Sequence, residues 1–172
     1  MRVVAGVARG RRLQAPVGQS TRPTSDRVRE ATFNALGSLG AVDDAEVVDL
    51  FAGSGALGIE ALSRGAASAT FVDDDPKAVA AVRANLAATG LDGTVVRDDV
   101  GRWLARNPRR FDLALLDPPY ALGDDAWAAI LGALDAEVAV LESDREVPLP
   151  EPWTVLRSKR YGGTVVVIAG RP

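Results

Sequence analysis

An apolar segment that runs directly into a glycine-rich turn constrains the fold of this chain more than any other feature. Residues 46–51 read as a buried strand, and Gly53, Gly55 and Gly58 follow it before a helical pattern begins. Glycines at these positions permit a tight turn and let backbone amides approach a ligand without a Cβ in the way. This strand–loop–helix unit predicts a parallel α/β sheet with a ligand bound at the loop.

The rest of the chain alternates strand-like and helical segments. The strand candidates are 46–51, 69–73, 94–97, 111–116 and 138–142, and helical patterns cover 57–64, 77–89, 100–106 and 125–134. Asp75-Pro76 predicts a helix start, because Asp accepts from the first free amides and Pro fits the first helical position. Such alternation predicts a parallel sheet with helices on both faces. Two final runs, 153–159 and 164–169, have no helix between them, which predicts an antiparallel hairpin. We therefore predict an α/β fold with a seven-stranded, Rossmann-like sheet of the class I methyltransferase type and an antiparallel C-terminal hairpin.

Charge separates the N-terminal part from the rest. Residues 1–40 carry seven arginines and two acidic residues, although the whole chain has a net charge of −3. Residues 2–5 and 11–14 read as two short strands, and Thr24 or Asp26 could cap a helix that runs to about Leu39. That helix would bury one face, formed by Val28, Ala31, Ala35 and Leu39. We predict a basic hairpin-and-helix extension over residues 1–40, which meets a polyanion, and a catalytic domain over residues 41–172.

Two absences narrow the chemistry. The chain has no cysteine and no histidine, so it has no thiolate nucleophile, imidazole base or His-ligated metal. Methylation at C5 of a pyrimidine normally needs a cysteine and is therefore excluded. No apolar run reaches the roughly 18 residues that span a bilayer, and the N-terminus has no signal-peptide pattern. We expect a cytoplasmic protein without a metal.

Acidic residues around the glycine loop indicate the kind of ligand. Asp73 ends the second strand, 20 residues after Gly53, where a carboxylate can accept both hydroxyls of a ribose. The loop also fits the dinucleotide pattern G-x-G-x-x-G. Asp49, however, would repel a pyrophosphate, whereas it suits the cationic amino-acid end of S-adenosylmethionine. Asp49 as a turn residue and Asp99 as a helix cap are the structural alternatives. The predicted cofactor-binding residues are Asp49, Phe51, Ala52, Gly53, Ser54, Gly55, Asp73, Asp74, Asp99 and Val100.

The segment Asp117-Pro118-Pro119-Tyr120 follows the fourth strand, at the edge where open α/β sheets bind ligands. An exocyclic amine is a poor nucleophile because its lone pair is delocalised into the ring. Asp117 and the Pro118 carbonyl can each accept one N–H and so free that lone pair. Tyr120 can stack on the base, a contact worth about 1–3 kcal/mol. The segment predicts methylation of an exocyclic amino group, although a Pro-Pro turn after a strand is common by itself.

With these motifs the chain resembles the bacterial 16S ribosomal RNA guanine-N2 methyltransferases of the RsmD type. The matching segments are 2–6, 22–31, 33–34, 49–58, 61–66 and 117–120. The resemblance implies an adenine contact for Asp99 and a monomer that methylates guanine 966 on an assembled or nearly assembled small ribosomal subunit. The family often has Glu where this chain has the shorter Asp73. The arginines expected to contact RNA are Arg9, Arg11, Arg12, Arg22 and Arg27.

Three other functions remain open at this point. An N6-adenine methyltransferase acting on DNA shares the Asp-Pro-Pro-Tyr segment, but such enzymes usually carry a target-recognition domain for which this chain has no spare length. A dinucleotide-binding oxidoreductase fits the glycine loop but not Asp49 or the terminal hairpin. A non-catalytic RNA-binding module of the same fold would tolerate the loss of Asp117.

Overall fold

The computed structural model describes residues 1–18 and 24–172 and is built around one seven-stranded sheet. Its strands are β1 (Glu46–Leu50), β2 (Ser68–Asp73), β3 (Thr94–Arg97), β4 (Arg110–Leu116), β5 (Asp135–Ser143), β6 (Thr154–Tyr161) and β7 (Thr164–Gly170). They lie in the order β3-β2-β1-β4-β5-β7-β6. The pairs from β3 to β5 are parallel, and β7 runs antiparallel to both β5 and β6. The predicted α/β sheet with an antiparallel C-terminal hairpin is confirmed.

Helices cover both faces of the sheet. They are α1 (Asp26–Ser38), α2 (Ala56–Ser63), α3 (Pro76–Thr89), α4 (Val100–Arg106) and α5 (Asp124–Ala133). Val47 of β1 packs in one core with Ile59 of α2, whereas its neighbour Val48 packs in a second core with Trp103 and Trp127. Adjacent strand residues point to opposite faces, so this alternation places the two cores on the two sides of the sheet. In the described part of the chain, no helix is both long and apolar enough to cross a membrane.

Side-chain caps fix the beginnings of three helices, of which α3 and α1 test the predicted caps. Asp75 accepts a hydrogen bond from the Lys77 amide at 2.9 Å, and Pro76 is the first residue of α3, as predicted. Helix α1 is capped instead by Ser25, whose hydroxyl accepts from the Val28 amide at 3.2 Å. The prediction of Thr24 or Asp26 as the cap was therefore wrong.

The buried face of α1 also differs from the predicted one. Arg29, Thr32, Phe33 and Leu36 are buried, while Leu39 is exposed, and Val28, Ala31 and Ala35 are only partly buried. The predicted face was wrong because a pattern of apolar residues places every arginine on the solvent side of a helix. Arg29 is buried all the same, and ion pairs stabilise it there. Its Nε lies 3.4 Å from Glu60 of α2, and its Nη2 lies 2.9 Å from Asp26.

The N-terminal segment, residues 1–18, does not form the two predicted strands. It contains one isolated antiparallel bridge, between Arg2 and Arg12. Backbone hydrogen bonds also join its two halves, such as the bond from the Val3 amide to the Arg11 carbonyl at 3.0 Å. Other amides of the segment donate to helix side chains. The Val4 and Ala5 amides donate to the two carboxylate oxygens of Glu60 at 2.9 and 3.0 Å, and the Gln14 amide donates to Asn85 of α3 at 2.9 Å. The segment is thus a short hairpin, and side chains of α2 and α3 accept hydrogen bonds from amides that the hairpin leaves unpaired.

Strand β6 forms one edge of the sheet and is exposed along almost its whole length. Arg157, Lys159 and Arg160 lie on it, and the strand contains no acidic residue. Among the described residues, none of these three cations forms an ion pair with a carboxylate. The outer edge of the sheet is therefore positively charged.

Candidate active site

The register of the sheet brings the candidate residues to one edge. Leu50 of β1 pairs with Leu116 of β4, and Leu116 pairs in turn with Leu141 of β5. The residues that follow these three leucines therefore lie side by side, at the carboxyl end of the parallel strands. This edge carries the glycine loop after β1, Asp73 at the end of β2 and Asp117 after β4, as the sequence predicts.

Asp49 is a fully buried carboxylate beneath the glycine loop. Its Oδ2 accepts a hydrogen bond from the Gly58 amide at 2.9 Å. A Cβ at Gly58 would collide with the Phe71 ring and lie 3.0 Å from the same Oδ2, so the close contact requires glycine. Burial raises the pKa of Asp49 to about 8; the Gly58 hydrogen bond opposes this shift, and the charge of Asp73 adds to it. No cation pairs with Asp49 in the described part of the chain, which leaves it open to a cationic ligand.

Asp73 is held in place by two backbone amides. Gly53 donates to Oδ2 at 2.9 Å, and Asp75 donates to Oδ1 at 3.0 Å. Burial is the main cause of a raised pKa at Asp73. Each carboxylate oxygen can accept more than one hydrogen bond, so both keep capacity for hydroxyl groups. Asp73 is thus oriented by the protein and still able to bind a diol.

The loop between β1 and α2 has the backbone expected of a tight turn. Gly53 and Gly55 have positive φ angles of 59° and 80°, and Phe51 has a positive φ of 58° although it carries a side chain. Such a residue costs on the order of 1–3 kcal/mol and is found preferentially at ligand sites. Asn85, which the sequence analysis did not identify, donates from Nδ2 to the Ser54 carbonyl at 2.8 Å and fixes the far side of the loop.

The remaining predicted cofactor-binding residues have structural roles or positions that do not by themselves indicate a ligand. Asp99 caps α4 by accepting from the Arg102 amide at 2.9 Å, which is the structural alternative considered for it. Val100 is buried in the second core, Ala52 is buried beside the loop, and the Asp74 side chain is exposed. These positions would allow an adenine ring to bind next to β3. The contacts among the described residues do not by themselves indicate such a pocket.

Asp117 directly follows β4 and lies close to other carboxylates. Burial raises its pKa well above the usual value, and the charges of Glu142 and Asp49 raise it further, while the Thr24 hydroxyl opposes the shift. Pro118 is buried, and Tyr120 is half exposed, with its hydroxyl 3.0 Å from that of Thr164 at the start of β7. The Tyr120 ring is thus tied to the sheet with much of its surface open.

Two residues of this edge were missed by the sequence analysis. Glu142 of β5 is buried, and Thr24 donates from Oγ1 to its Oε1 at 2.6 Å, with Oε2 at 2.7 Å. The same hydroxyl lies 3.4 Å from Oδ2 of Asp117. Burial raises the pKa of Glu142, against the Thr24 hydrogen bond and the charge of Arg29. Only the pairing of Leu116 with Leu141, which places Glu142 next to Asp117, could have identified it.

The arginines predicted to contact RNA are exposed where the structure describes them. Arg9, Arg11, Arg12 and Arg27 are exposed, and none forms an ion pair with a described carboxylate. Arg22 lies outside the described residues. The described side chains include no group of three or more acidic residues arranged to hold a metal ion.

Comparison with known proteins gives a consistent result. Residues 1–170 match the model of a family described as Conserved hypothetical protein 95. The chain is 42% identical to YlbH of Bacillus subtilis, over 98% of this chain and 97% of that protein. It is 36% identical to the ribosomal RNA small subunit methyltransferase D of Escherichia coli, over 94% of this chain and 85% of that one. The solved structure of yhhF from Escherichia coli superposes with a TM-score of 0.85 at 33% identity, covering 99% and 97% of the two chains.

Proposed function

Because the chain belongs to the RsmD-type family of ribosomal RNA methyltransferases, we propose that it methylates the exocyclic N2 of a guanine in 16S ribosomal RNA. The observation that carries this proposal is the position of Asp117. It leaves the carboxyl edge of β4 next to the glycine loop, with buried carboxylates on both sides. This reaction needs hydrogen-bond acceptors for the two hydrogens of the amino group, placed beside the methyl donor.

The residues at the loop fit S-adenosylmethionine. Asp49 is a buried carboxyl group without a cationic partner among the described residues. The cationic amino-acid end of that cofactor would favour its ionised form and pair with it. Asp73, oriented by the Gly53 and Asp75 amides, would accept the ribose hydroxyls. Phe51, Ala52, Ser54, Gly55 and Asp74 would line the cleft, with Asp99 and Val100 at the adenine.

The chain's own groups then act on the amine. When bound, S-adenosylmethionine supplies a methyl group on a good leaving group, so no strong base is required. The carboxylate of Asp117 accepts one N–H of the guanine amino group and the Pro118 carbonyl accepts the other, which localises the nitrogen lone pair. The amine loses a proton as it is methylated, and the raised pKa of Asp117 suits its carboxylate to hold that proton. Tyr120 orients the base by stacking on it.

The N-terminal segment and α1 would hold the RNA. Arg9, Arg11, Arg12 and Arg27 are exposed and able to contact phosphates, and Arg22 precedes Thr24 at the active-site edge. Residues 1–40 would thus act as the RNA-gripping extension and residues 41–172 as the catalytic domain. The substrate would be an assembled or nearly assembled small ribosomal subunit, met in the cytoplasm by a monomeric enzyme. By family resemblance the target is guanine 966.

The decisive experiment is methyl transfer onto small ribosomal subunits that lack the modification. Purified protein is incubated with S-adenosylmethionine labelled in the methyl group, and the modified nucleotide is mapped in the RNA. We expect one N2-methylguanine. Methylation of N6 on adenine in DNA or RNA would favour the alternative substrate, and binding without any transfer would favour an RNA-binding module.

A further inference from the structure

Asp117 and Glu142 present two acceptors side by side, and the proposed methyl transfer uses only one of them. Their positions follow from the pairing of Leu116 with Leu141, and the Thr24 hydroxyl lies within 3.4 Å of both carboxylates. Glu142 is 6% exposed and forms no ion pair with any described cation. The nearby guanidinium of Arg29 is engaged by Asp26 and Glu60 instead.

Among the described residues, this pair of carboxylates has fewer hydrogen-bond donors than acceptor oxygens. Thr24 has one hydroxyl hydrogen, whereas the two carboxylates have four oxygens, and no other described group is in hydrogen-bond contact with either side chain. Buried polar groups are almost always matched by partners. The two carboxylates are therefore able to accept from a ligand that brings two adjacent N–H groups to this edge of the sheet.

We infer that Asp117 and Glu142 together form a recognition site for the Watson–Crick edge of guanine, with Glu142 accepting from N1–H and Asp117 from the neighbouring N2 amino group. This inference rests on the proposed function. Guanine has two adjacent donors at N1 and N2, which match two acceptors. Adenine has an acceptor at N1 beside its N6 amino group, so its N1 would face the carboxylate of Glu142 and be repelled.

Thr24 is the positioning residue of this site. Its hydroxyl holds both oxygens of Glu142 within 2.7 Å and so fixes the carboxylate beside Asp117. Thr24 directly precedes the Ser25 cap of α1. The N-terminal extension thus contributes directly to the geometry of base recognition, in addition to its charge.

The test compares guanine with 2-aminopurine at the methylated position of reconstituted, unmodified small subunits. 2-Aminopurine keeps the N2 amino group but has an acceptor at N1. Wild type should strongly prefer guanine. Glu142→Gln presents an amide N–H that can donate to N1 of 2-aminopurine, so the guanine to 2-aminopurine ratio of kcat/KM should fall by about 10- to 100-fold. Glu137→Gln, an exposed change on the same strand, should keep the wild-type ratio.

Each outcome separates the inference from the proposed function. A wild-type protein that does not methylate guanine-containing subunits would remove the proposed function itself. If wild type is active and Glu142→Gln keeps its ratio, the recognition site is overturned. Should Glu142→Gln fail to fold, Thr24→Val replaces it. We expect Thr24→Val to lower the guanine to 2-aminopurine ratio of kcat/KM and Thr24→Ser to retain it. An unchanged ratio in Thr24→Val would also overturn the inference.

Discussion

Gly53 donates its backbone N–H to Oδ2 of Asp73 over 2.9 Å, so the glycine loop after β1 is fastened to the acid that ends β2. The Asp75 amide holds the other oxygen at 3.0 Å. One carboxylate therefore shapes the loop and, in the proposed function, also binds the ribose. A substitution at Asp73 affects both roles, and the choice of variant must separate them.

The first prediction concerns cofactor binding by Asp73. Asp73→Ala should weaken S-adenosylmethionine binding by about 10- to 100-fold, because hydrogen bonds to a charged group contribute about 1.5–3 kcal/mol. Asp73→Asn keeps one acceptor oxygen and should lose less. Calorimetric titration of each purified variant gives the affinities, with Asp92→Ala as an exposed control. Equal binding by wild type and Asp73→Ala would remove Asp73 from the ribose role.

The second prediction concerns the stability of the cofactor-free protein and Asp49. Its pKa is about 8 in the folded protein and about 3.8 without burial. Between these values the unfolded chain is charged while the folded one keeps the proton, so stability falls as pH rises. Asp49→Asn should therefore melt above wild type at pH 8, and the difference should shrink toward pH 4.

The same variant should bind S-adenosylmethionine more weakly, because it lacks the charge that attracts the cationic amino group. Melting curves over the pH range and calorimetry at pH 8 measure the two effects together. A variant that melts no higher than wild type at pH 8, or binds the cofactor equally well, would contradict the role given to Asp49.

The third prediction concerns RNA binding by the N-terminal arginines. Changing Arg9, Arg11 and Arg12 together to Gln should flatten the dependence of log affinity on log salt, since each phosphate contact contributes about −0.9 to that slope on duplex. Cofactor affinity should stay nearly constant. Arg106→Gln, an exposed change on α4, is the matched control. A slope equal to that of wild type would mean that these arginines are only solvated.

The fourth prediction concerns the rate of methyl transfer. Asp117→Ala should lower the single-turnover rate on unmodified subunits by about 10³-fold or more, with cofactor binding little changed. Asp117→Asn keeps one acceptor and part of the activity. Tyr120→Phe should be mild, since it loses only the hydrogen bond to Thr164, whereas Tyr120→Ala loses the stacking face. Near-normal turnover in Asp117→Ala would contradict the role given to Asp117.

The fifth prediction concerns the attachment of the N-terminal segment through Glu60. This buried carboxylate accepts the Val4 and Ala5 amides and pairs with Arg29 and Arg64. Glu60→Ala leaves the buried Arg29 with Asp26 as its remaining ion-pair partner and should lower the free energy of unfolding by about 3–5 kcal/mol. Glu46→Ala, which breaks the exposed pair with Arg109, should cost about 0–1 kcal/mol in the same denaturant titration. Similar losses in both variants would contradict this role of Glu60.

The sheet and the loop could be predicted because they depend on local patterns. The apolar run before Gly53, the Asp75-Pro76 helix start and the 20-residue spacing to Asp73 each have a cause within a few residues of sequence. The C-terminal hairpin was predictable because no helical segment fits between residues 159 and 164. These features agree with the structure.

The features that sequence alone did not predict depend on distant partners. The buried face of α1 is set by Arg29, which is stabilised by Glu60 31 residues away. The N-terminal hairpin contains a single bridge, and Glu60 and Asn85 accept hydrogen bonds from amides beside it. Glu142 reaches the site through the register of β4 with β5, and Thr24 meets it across 118 residues of chain.

The positive charge of β6 has a consequence for how the molecule behaves at high concentration. An edge strand presents unpaired backbone N–H and C=O groups, onto which the edge strand of a second molecule could add. Two copies approaching edge to edge would bring Arg157, Lys159 and Arg160 of one against the same three cations of the other. Like charges set opposite each other oppose such pairing. Edge strand β6 therefore also carries the charges that hinder the pairing of this sheet with the sheet of a second molecule.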